Sequence, residues 1–430
     1  MEGPVVILGA GAAGLMAARW VAGRGRPVIV LEAAREEGRK ILISGGGRCN
    51  VLPLDDAPGR FVSDSPNRLV RRFLVRWPLE EQRTFFEALL GGALREEPES
   101  GKLFPPTNRA RDVRDALRDS VRSAGAAIRP ANRARDLARS ALGGFDVRVD
   151  RETIHASAVV VATGGRSVLS GGADAAGFEW AAALGHSVRP TYPALAPLVG
   201  DVPAHHALAG VSLRARVTAR SGQESAASEG GFLFTHRGWS GPAVLDVSHV
   251  VERAVRAGNF FDVRVTFLPE ASKGPLQGAS PLHVGNAEAI ARVWDEQLRA
   301  GAGFGNSLSS FLRNSSLPDR LASFVLETAG VPDVSLSRLT REARKRVVSA
   351  LSSFPIPATG TEGYRTAEVT GGGVALEEVD AGSGESRLVP GLFFAGEVLD
   401  AFGPIGGFNF QWAWATGRTA GEATARHVTP

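Results

Sequence analysis

The 430-residue chain predicts an α/β fold interrupted by a β-rich insertion. Three observations carry that prediction. A short apolar strand, a glycine turn and a helical period open the sequence over residues 5–22. A second buried strand runs into another glycine turn at 158–165. From about residue 190 the pattern changes to alternating strands. The length exceeds one ordinary core, so two or three domains are expected. A hydrophobic content of 43% with 22% charged residues is that of a folded protein. The single cysteine excludes an internal disulfide framework and any cysteine-built zinc site, and it argues for a reducing, cytoplasmic setting. No metal is expected.

The first element is "VVILGAGAAGLMAARWVAGRGRPVIVLEA". Strand Val5–Leu8 leads into Gly9-x-Gly11-x-x-Gly14, then a helix, then strand Val28–Leu31 ending in Glu32. Gly9 makes the tight turn, Gly11 lets a pyrophosphate approach the backbone, and Gly14 lets the helix press on the strand. The helix start offers unpaired amides and a positive dipole end. Glu32 is placed to accept from both hydroxyls of a ribose, and an acid there disfavours a 2′-phosphate. FAD or NAD is therefore expected over NADP. The stretch is apolar enough to resemble a signal peptide or a membrane span. It lacks a basic leader and its glycines fall at turn spacing, so no membrane segment is expected.

The next informative stretch, "AVVVATGGRS", is a buried strand ending in Thr163-Gly164-Gly165, a turn suited to closing over FAD. Near the end, a strand over Gly391–Ala395 runs into Gly396-Glu397, with Asp400 placed for a ribityl or phosphate contact. Gly406-Gly407-Phe408-Asn409 then opens a helix over 410–425, whose dipole suits the ring edge where negative charge develops on reduction. Asn132–Ala134, including Arg133, is read as the edge passing the adenine.

These residues carry a resemblance. "GAGAAGLMAA", "GRKILISGGGRCN", "FTHRGWSGPAVLDVS", "EVTGGGV" and "GLFFAGEVLDAFGPIGGFNFQWAWATG" resemble the bacterial BaiN-like NAD(P)/FAD-dependent oxidoreductases, from residue 3 to about 425. The resemblance implies a Rossmann-like FAD-binding domain interrupted by an inserted β-barrel that carries a small helical subdomain. In this chain the FAD-binding domain spans 1–190 and 356–430, the barrel 191–270 and 345–355, and the helical part 271–344. The resemblance places Ala12, Ala13, Glu32, Arg39, Lys40, Gly46, Arg48, Gly165, Asp400, Gly406, Gly407, Phe408 and Asn409 around FAD. Val51-Leu52-Pro53 and Phe402-Gly403 depart from the family pattern and bear on substrate identity.

Within "KILISGGGRCN", glycines 45–47 (Gly45, Gly46, Gly47) are costly to order and imply a close approach to the flavin, with Arg39 and Arg48 offsetting phosphate charge. Cys49 is a candidate proton donor beside the ring or else a small packing residue. His236, in "FTHRGWSG" with Trp239, is a second candidate acid or base facing the flavin, against a structural loop role. Ser240-Gly241-Pro242 reads as a helix start.

Lysine stands only at positions 40, 102, 273 and 345, so 45 of the 49 basic residues are arginine. Residues 60–139 hold 17 basic against 11 acidic residues, a larger excess than the whole chain's net +4. That region is read as a polyanion-binding face or as a solvated helical surface. One dinucleotide fingerprint leaves NAD(P)H to dock transiently. The first reading is an NAD(P)H-driven reductase of an activated C=C, in a small unsaturated oxo compound or a uridine of ribosomal RNA. Amine oxidation of the aminoacetone type and a non-catalytic flavin-containing RNA-binding or redox-sensing protein stay open, as does the oligomeric state.

Overall fold

The computed structural model describes residues 3–150, 152–167, 175–268, 287–304, 306–315 and 317–427. The chain divides into two compact units, Met1–Pro193 with Ala367–Pro430, and Ala194–Thr366. The first part of the expected helical subdomain, residues 271–286, lies outside the described residues.

The first unit is built on a parallel sheet of five strands. They are β1 (Val5–Leu8), β2 (Val28–Leu31), β3 (Ala127–Arg129), β4 (Ala158–Val161) and β5 (Leu392–Phe394), in the order β5-β4-β1-β2-β3. β1 and β4 are apolar and buried at every residue, as strands covered on both faces must be, and they pair in register from Val5 with Ala158 to Leu8 with Val161. Helices α1 (Ala12–Ala22), α2 (Arg39–Ile43), α3 (Ala110–Ser123) and α4 (Phe408–His427) belong to the same unit. α4 starts two residues earlier than the sequence indicated. It packs closely on α1, because a side chain at Gly417 or Gly421 would lie 2.5 Å from the backbone oxygen of Ala13 or Ala17. α3 carries a buried arginine, Arg114, whose guanidinium bonds Glu36 Oε1 at 2.7 Å and the Glu37 carbonyl at 3.1 Å. That clamp fixes the turn leading from β2 to α2.

The second unit is an antiparallel seven-stranded sheet with helices. Its strand order is Phe354–Pro355, Asp262–Phe267, Ser212–Ser221, Glu224–Phe234, Gly238–Ser240, Leu198–Val199, Gly360–Thr361. The two edge strands are joined by residues 356–359, whose Ile356 and Thr359 amides donate to Val263 O and Val199 O at opposite ends of the sheet. The helices at 287–300, 319–329 and 341–352 share one apolar core with this sheet through Trp294, Leu321 and Val347. The sheet and the described helices thus form one unit that extends to Thr366, not to residue 355.

Candidate functional site

The candidate site lies at the carboxyl ends of β1, β4 and β5, the edge where open α/β sheets hold their ligands. Each of these strands ends in a glycine turn, and the turns differ in what they leave open.

After β1, Gly9 adopts φ +104° and Gly14 lies so close to it that a side chain there would overlap the Gly9 carbonyl. Gly11 is different. It caps α1 without a side-chain bond, and a Cβ on it would meet nothing within 4 Å. The first-turn amides of α1, at Ala12 and Ala13, have no intrahelical acceptor, and the positive end of the helix dipole lies behind them. At the end of β2, Glu32 is half-buried and held at both oxygens, Oε2 by the Ala10 amide at 2.7 Å and Oε1 by the Ala34 amide at 2.8 Å. The Asn132 amide donates to the Glu32 carbonyl at 2.8 Å and the Ala131 amide to that of Ala34 at 2.7 Å, which brings the 131–133 edge alongside. The acid read for a ribose and the segment read for an adenine are thus brought together, with Arg133 at that edge.

The turn after β4 is filled by the protein itself. Thr163 buries its hydroxyl against Gly177, away from any open space, and among the described residues that hydroxyl has no partner. A side chain at Gly165 would overlap Thr370 and Glu397. Gly164, at φ +76°, keeps open space. Behind the turn lies a polar cluster. Lys40 Nζ bonds Glu397 Oε2 at 2.5 Å and Ser167 Oγ at 2.6 Å, while Glu397 Oε1 accepts from the Thr370 amide at 2.8 Å and Ser167 Oγ at 3.1 Å. Arg166 N donates to Thr370 Oγ1 at 2.7 Å. Lys40, Gly165 and Glu397 do meet, and mainly one another. Ser167 and Thr370 escaped the sequence reading; Thr370 stands in the quoted "EVTGGGV", and its adjacency to Glu397 was the missing information.

Gly396, at φ +78°, ends β5 against Ala13 of α1, and its amide donates to Thr416 Oγ1 at 2.9 Å. Asp400 is buried, and its Oδ2 accepts from the Asp64 and Ser65 amides at 3.0 and 2.9 Å and from the Ser63 and Ser65 hydroxyls at 3.1 and 3.0 Å. Burial pushes its carboxyl up to about 6. Asp400 therefore organises the 63–65 loop from one oxygen, a structural role the sequence reading did not give it. Asn409 is likewise occupied: its side chain accepts from the Gly403 amide and donates to the Gly403 carbonyl, both at 2.9 Å. What remains at the start of α4 is backbone, with Gly406 and Gly407 at φ +126° and +98° leading in and the Phe408 ring buried.

The 44–47 segment has Gly45, Gly46 and Gly47 in the left-handed region, and side chains at Gly46 and Gly47 would meet nothing within 4 Å. Arg48 is not a free cation. It bonds Glu97 Oε1 at 3.1 Å and the Gly45 carbonyl at 3.3 Å and stacks 4.1 Å from the Phe104 ring centre. Arg39 is exposed. Cys49 has no exposed surface, and burial pushes its thiol up to about 12. A thiol held there has neither an open path nor a readily released proton, which favours the packing role.

In the second unit, His236 is exposed in the turn between strands Glu224–Phe234 and Gly238–Ser240, whereas Trp239 is buried in that unit's core and does not line an open site. Gly241, at φ +94°, caps the helix that Pro242 begins; Ser240 belongs to the strand before it.

The edge of the first unit fits a dinucleotide cofactor. It offers an uncapped helix start behind Gly11, open space at Gly11, Gly46, Gly47 and Gly164, and a fixed acid at Glu32. Among the described residues no group of three His, Cys, Asp or Glu is arranged to hold a metal ion, and no helix is long and apolar enough to cross a membrane.

Comparison with known proteins agrees with this geometry. A model of the HI0933-like protein Rossmann domain matches residues 3–423. The chain is 34% identical over 415 residues to the ribosomal RNA dihydrouridine synthase of Escherichia coli K12, covering 96% of this chain and 95% of that one. It is 31% identical to the protein of the same name from Haemophilus influenzae, over 96% of each chain. To the 3-dehydro-bile acid delta(4,6)-reductase of Clostridium scindens it is 30% identical over 97% of this chain and 98% of that one. With a family match over nearly its full length, the chain belongs to the HI0933-like family of FAD-binding Rossmann oxidoreductases, the BaiN-like proteins.

Proposed function

We propose that this protein is an NAD(P)H-driven flavin reductase of a C=C conjugated to a carbonyl, with a uridine of ribosomal RNA as substrate. The observation that carries this reading is the pair of relatives named ribosomal RNA dihydrouridine synthase, each matched over at least 95% of both chains. The third relative is named for reduction of a double-bond system too, so the chemistry is shared while the substrates differ.

When bound, FAD supplies two-electron hydride chemistry between a nicotinamide and the C=C. The chain's own part is positional. Gly11 leaves the α1 amides of Ala12 and Ala13 open to a pyrophosphate, and Glu32 holds a ribose beside the 131–133 edge. Gly46, Gly47 and Gly164 leave room for the rest of the cofactor, and the Gly406–Gly407 backbone presents the α4 dipole. Reduction of a C=C also requires a proton. Cys49 is closed off, so His236, with an exposed imidazole, is the side chain to test for that role.

The deciding experiment is anaerobic titration of the yellow protein with NADPH and NADH, followed by addition of unmodified ribosomal RNA transcripts. Bleaching of the flavin, then reoxidation by the transcript with dihydrouridine detected by mass spectrometry, is the expected result. Fast reduction by aminoacetone with reoxidation by air would make the protein an amine oxidase and overturn the reading. No reduction, with RNA bound, would leave a binding protein. His236→Gln should slow dihydrouridine formation without slowing bleaching by NAD(P)H.

A further inference from the structure

The arginine-rich stretch 60–139 resolves into two kinds of surface. On α3 three of the four arginines are neutralised: Arg114 pairs with Glu36 and Asp115, Arg118 with Asp115 and Asp119, and Arg122 lies 3.7 Å from Glu37, while exposed Arg111 makes no ion pair among the described residues. Arg83 pairs with Glu87 and Glu96, Arg129 with Glu152, and Arg135 with Asp150. The helix Asn67–Val75 behaves otherwise. It exposes Arg68, Arg71 and Arg72, and Arg76 follows at its end. Among the described residues none of these four guanidinium groups makes an ion pair or a hydrogen bond.

Their spacing puts them on one face. Positions 68, 71, 72 and 76 fall within less than half a turn of the helix, together with exposed Val75, while Leu69, Val70, Phe73 and Leu74 form the buried face. Helix stability alone does not account for this arrangement. Cations near the last turn suit the helix dipole, but Arg68 sits in the first turn, which holds no acid and where a cation is disfavoured. Four like charges on adjacent turns also repel one another. The nearest exposed acids in sequence, Asp64 and Glu80, stand at its two ends and not on the face.

The helix is tied to the candidate site within the same unit. Residues 63–65, just before it, hold Asp400, and Phe73 packs edge-on against Trp412 of α4 with ring centres 5.3 Å apart. Arg60, upstream, lies 5.1 Å from the ring centre of Phe408, the first residue of α4. The buried face of the helix thus packs towards α4 and its arginine face points away from that contact, within the unit that holds the candidate site.

We infer that the exposed face of helix 67–75, carrying Arg68, Arg71, Arg72 and Arg76, is the surface on which the phosphate backbone of a folded RNA substrate lies. The inference rests on the reading of ribosomal RNA as substrate. Its chemistry is counterion release: each phosphate held by an arginine steepens the fall of affinity with salt.

The test compares the holoenzyme with a variant carrying Arg68→Gln, Arg71→Gln, Arg72→Gln and Arg76→Gln, using unmodified large- and small-subunit ribosomal RNA transcripts between 50 and 200 mM salt. The slope of log affinity against log salt should fall by about 3, with affinity at 100 mM salt reduced at least about tenfold. A control with Arg129→Gln and Arg135→Gln, which removes cations already paired with acids, should move the slope by less than about 0.5. Flavin content and thermal midpoint report the fold of each variant. Should the fourfold variant lose its flavin, the milder Arg71→Gln/Arg72→Gln pair replaces it, with about half the slope change expected. If the parent protein forms dihydrouridine and the variant keeps its slope, the face is wrong and the substrate reading survives. If the parent protein neither binds the transcripts nor forms dihydrouridine, both fall together.

Discussion

The glycine turn after β1 and the one after β4 look alike in sequence, and they do opposite work. In the first, Gly14 is filled by the protein's own backbone while Gly11 opens onto empty space at a helix start. In the second, Gly165 admits Thr370 and Glu397, and the Thr163 hydroxyl turns towards Gly177. A glycine therefore marks a close approach, but not what approaches. One turn leaves room beside a helix start; the other mainly receives the chain itself.

Paired substitutions give the widest separation. Gly14→Ala should cost more than about 3 kcal/mol, because its methyl meets a backbone oxygen that cannot yield, and little folded protein is expected. Gly11→Ala has an ordinary backbone conformation, φ −77°, and free space. It should keep the thermal midpoint of the cofactor-free protein within about 2 °C while lowering flavin retention at least tenfold. If Gly11→Ala stays fully yellow, the open turn is not where the pyrophosphate comes. Gly165→Ala should lose about 1–3 kcal/mol of stability by displacing Thr370 and Glu397, whether or not flavin is present. An effect confined to flavin content would put a ligand in the second turn and erase the contrast.

The same contrast shows what could be read from the chain. The path from Val5 to Glu32 was legible because its spacing is local: strand, turn, helix and acid follow one another within 28 residues. The far partners were not. Asp400 takes four bonds from Ser63–Ser65, more than 330 residues upstream, and Lys40, after β2, meets Glu397, after β5, only because both strands end on the same edge of one parallel sheet. Arg48 read as a phosphate ligand until Glu97 and Phe104 were beside it. Asn409 read as a flavin contact, yet its amide closes on Gly403 six residues back. Arginine content marked the 60–139 stretch, but only the placement of acids separates α3, with three of its four arginines paired, from the unpaired helix 67–75.

Asp400 gives a pH test of the self-satisfied region. Its folded carboxyl lies near 6, above the ordinary value of 3.8, so the native state binds the proton more tightly than the unfolded chain. Its contribution is full below about pH 4 and is lost as pH rises through 6, a change of roughly 3 kcal/mol by the linkage relation. Asp400→Asn should flatten that part of the stability–pH curve. The second unit supplies the opposite slope: burial holds His205 and His249 down near 4, so their contribution is complete above about 6.5 and is lost as pH falls towards 4. Urea titrations of the parent and Asp400→Asn proteins between pH 4 and 7 separate the two. An unchanged curve in Asp400→Asn would remove the burial argument.

The smallest effect is expected where the second turn keeps its own charges. Lys40 is about one-third exposed and Glu397 more buried, so their pair is screened by solvent on one side. Glu397→Gln retains a carbonyl oxygen for the Thr370 amide and the Ser167 hydroxyl, but sets an amide NH2 where Oε2 accepted from Lys40, so both the charge and that acceptor are lost and the partly exposed ammonium turns to solvent. The cost should be about 1 kcal/mol or less, with flavin retention unchanged. Combined with Lys40→Met in a double-mutant cycle, the coupling should fall between about 0.5 and 1 kcal/mol. A coupling near zero, with flavin lost from Lys40→Met alone, would mean that Lys40 serves a ligand and that Glu397 merely stands beside it. The second turn would then belong with the first.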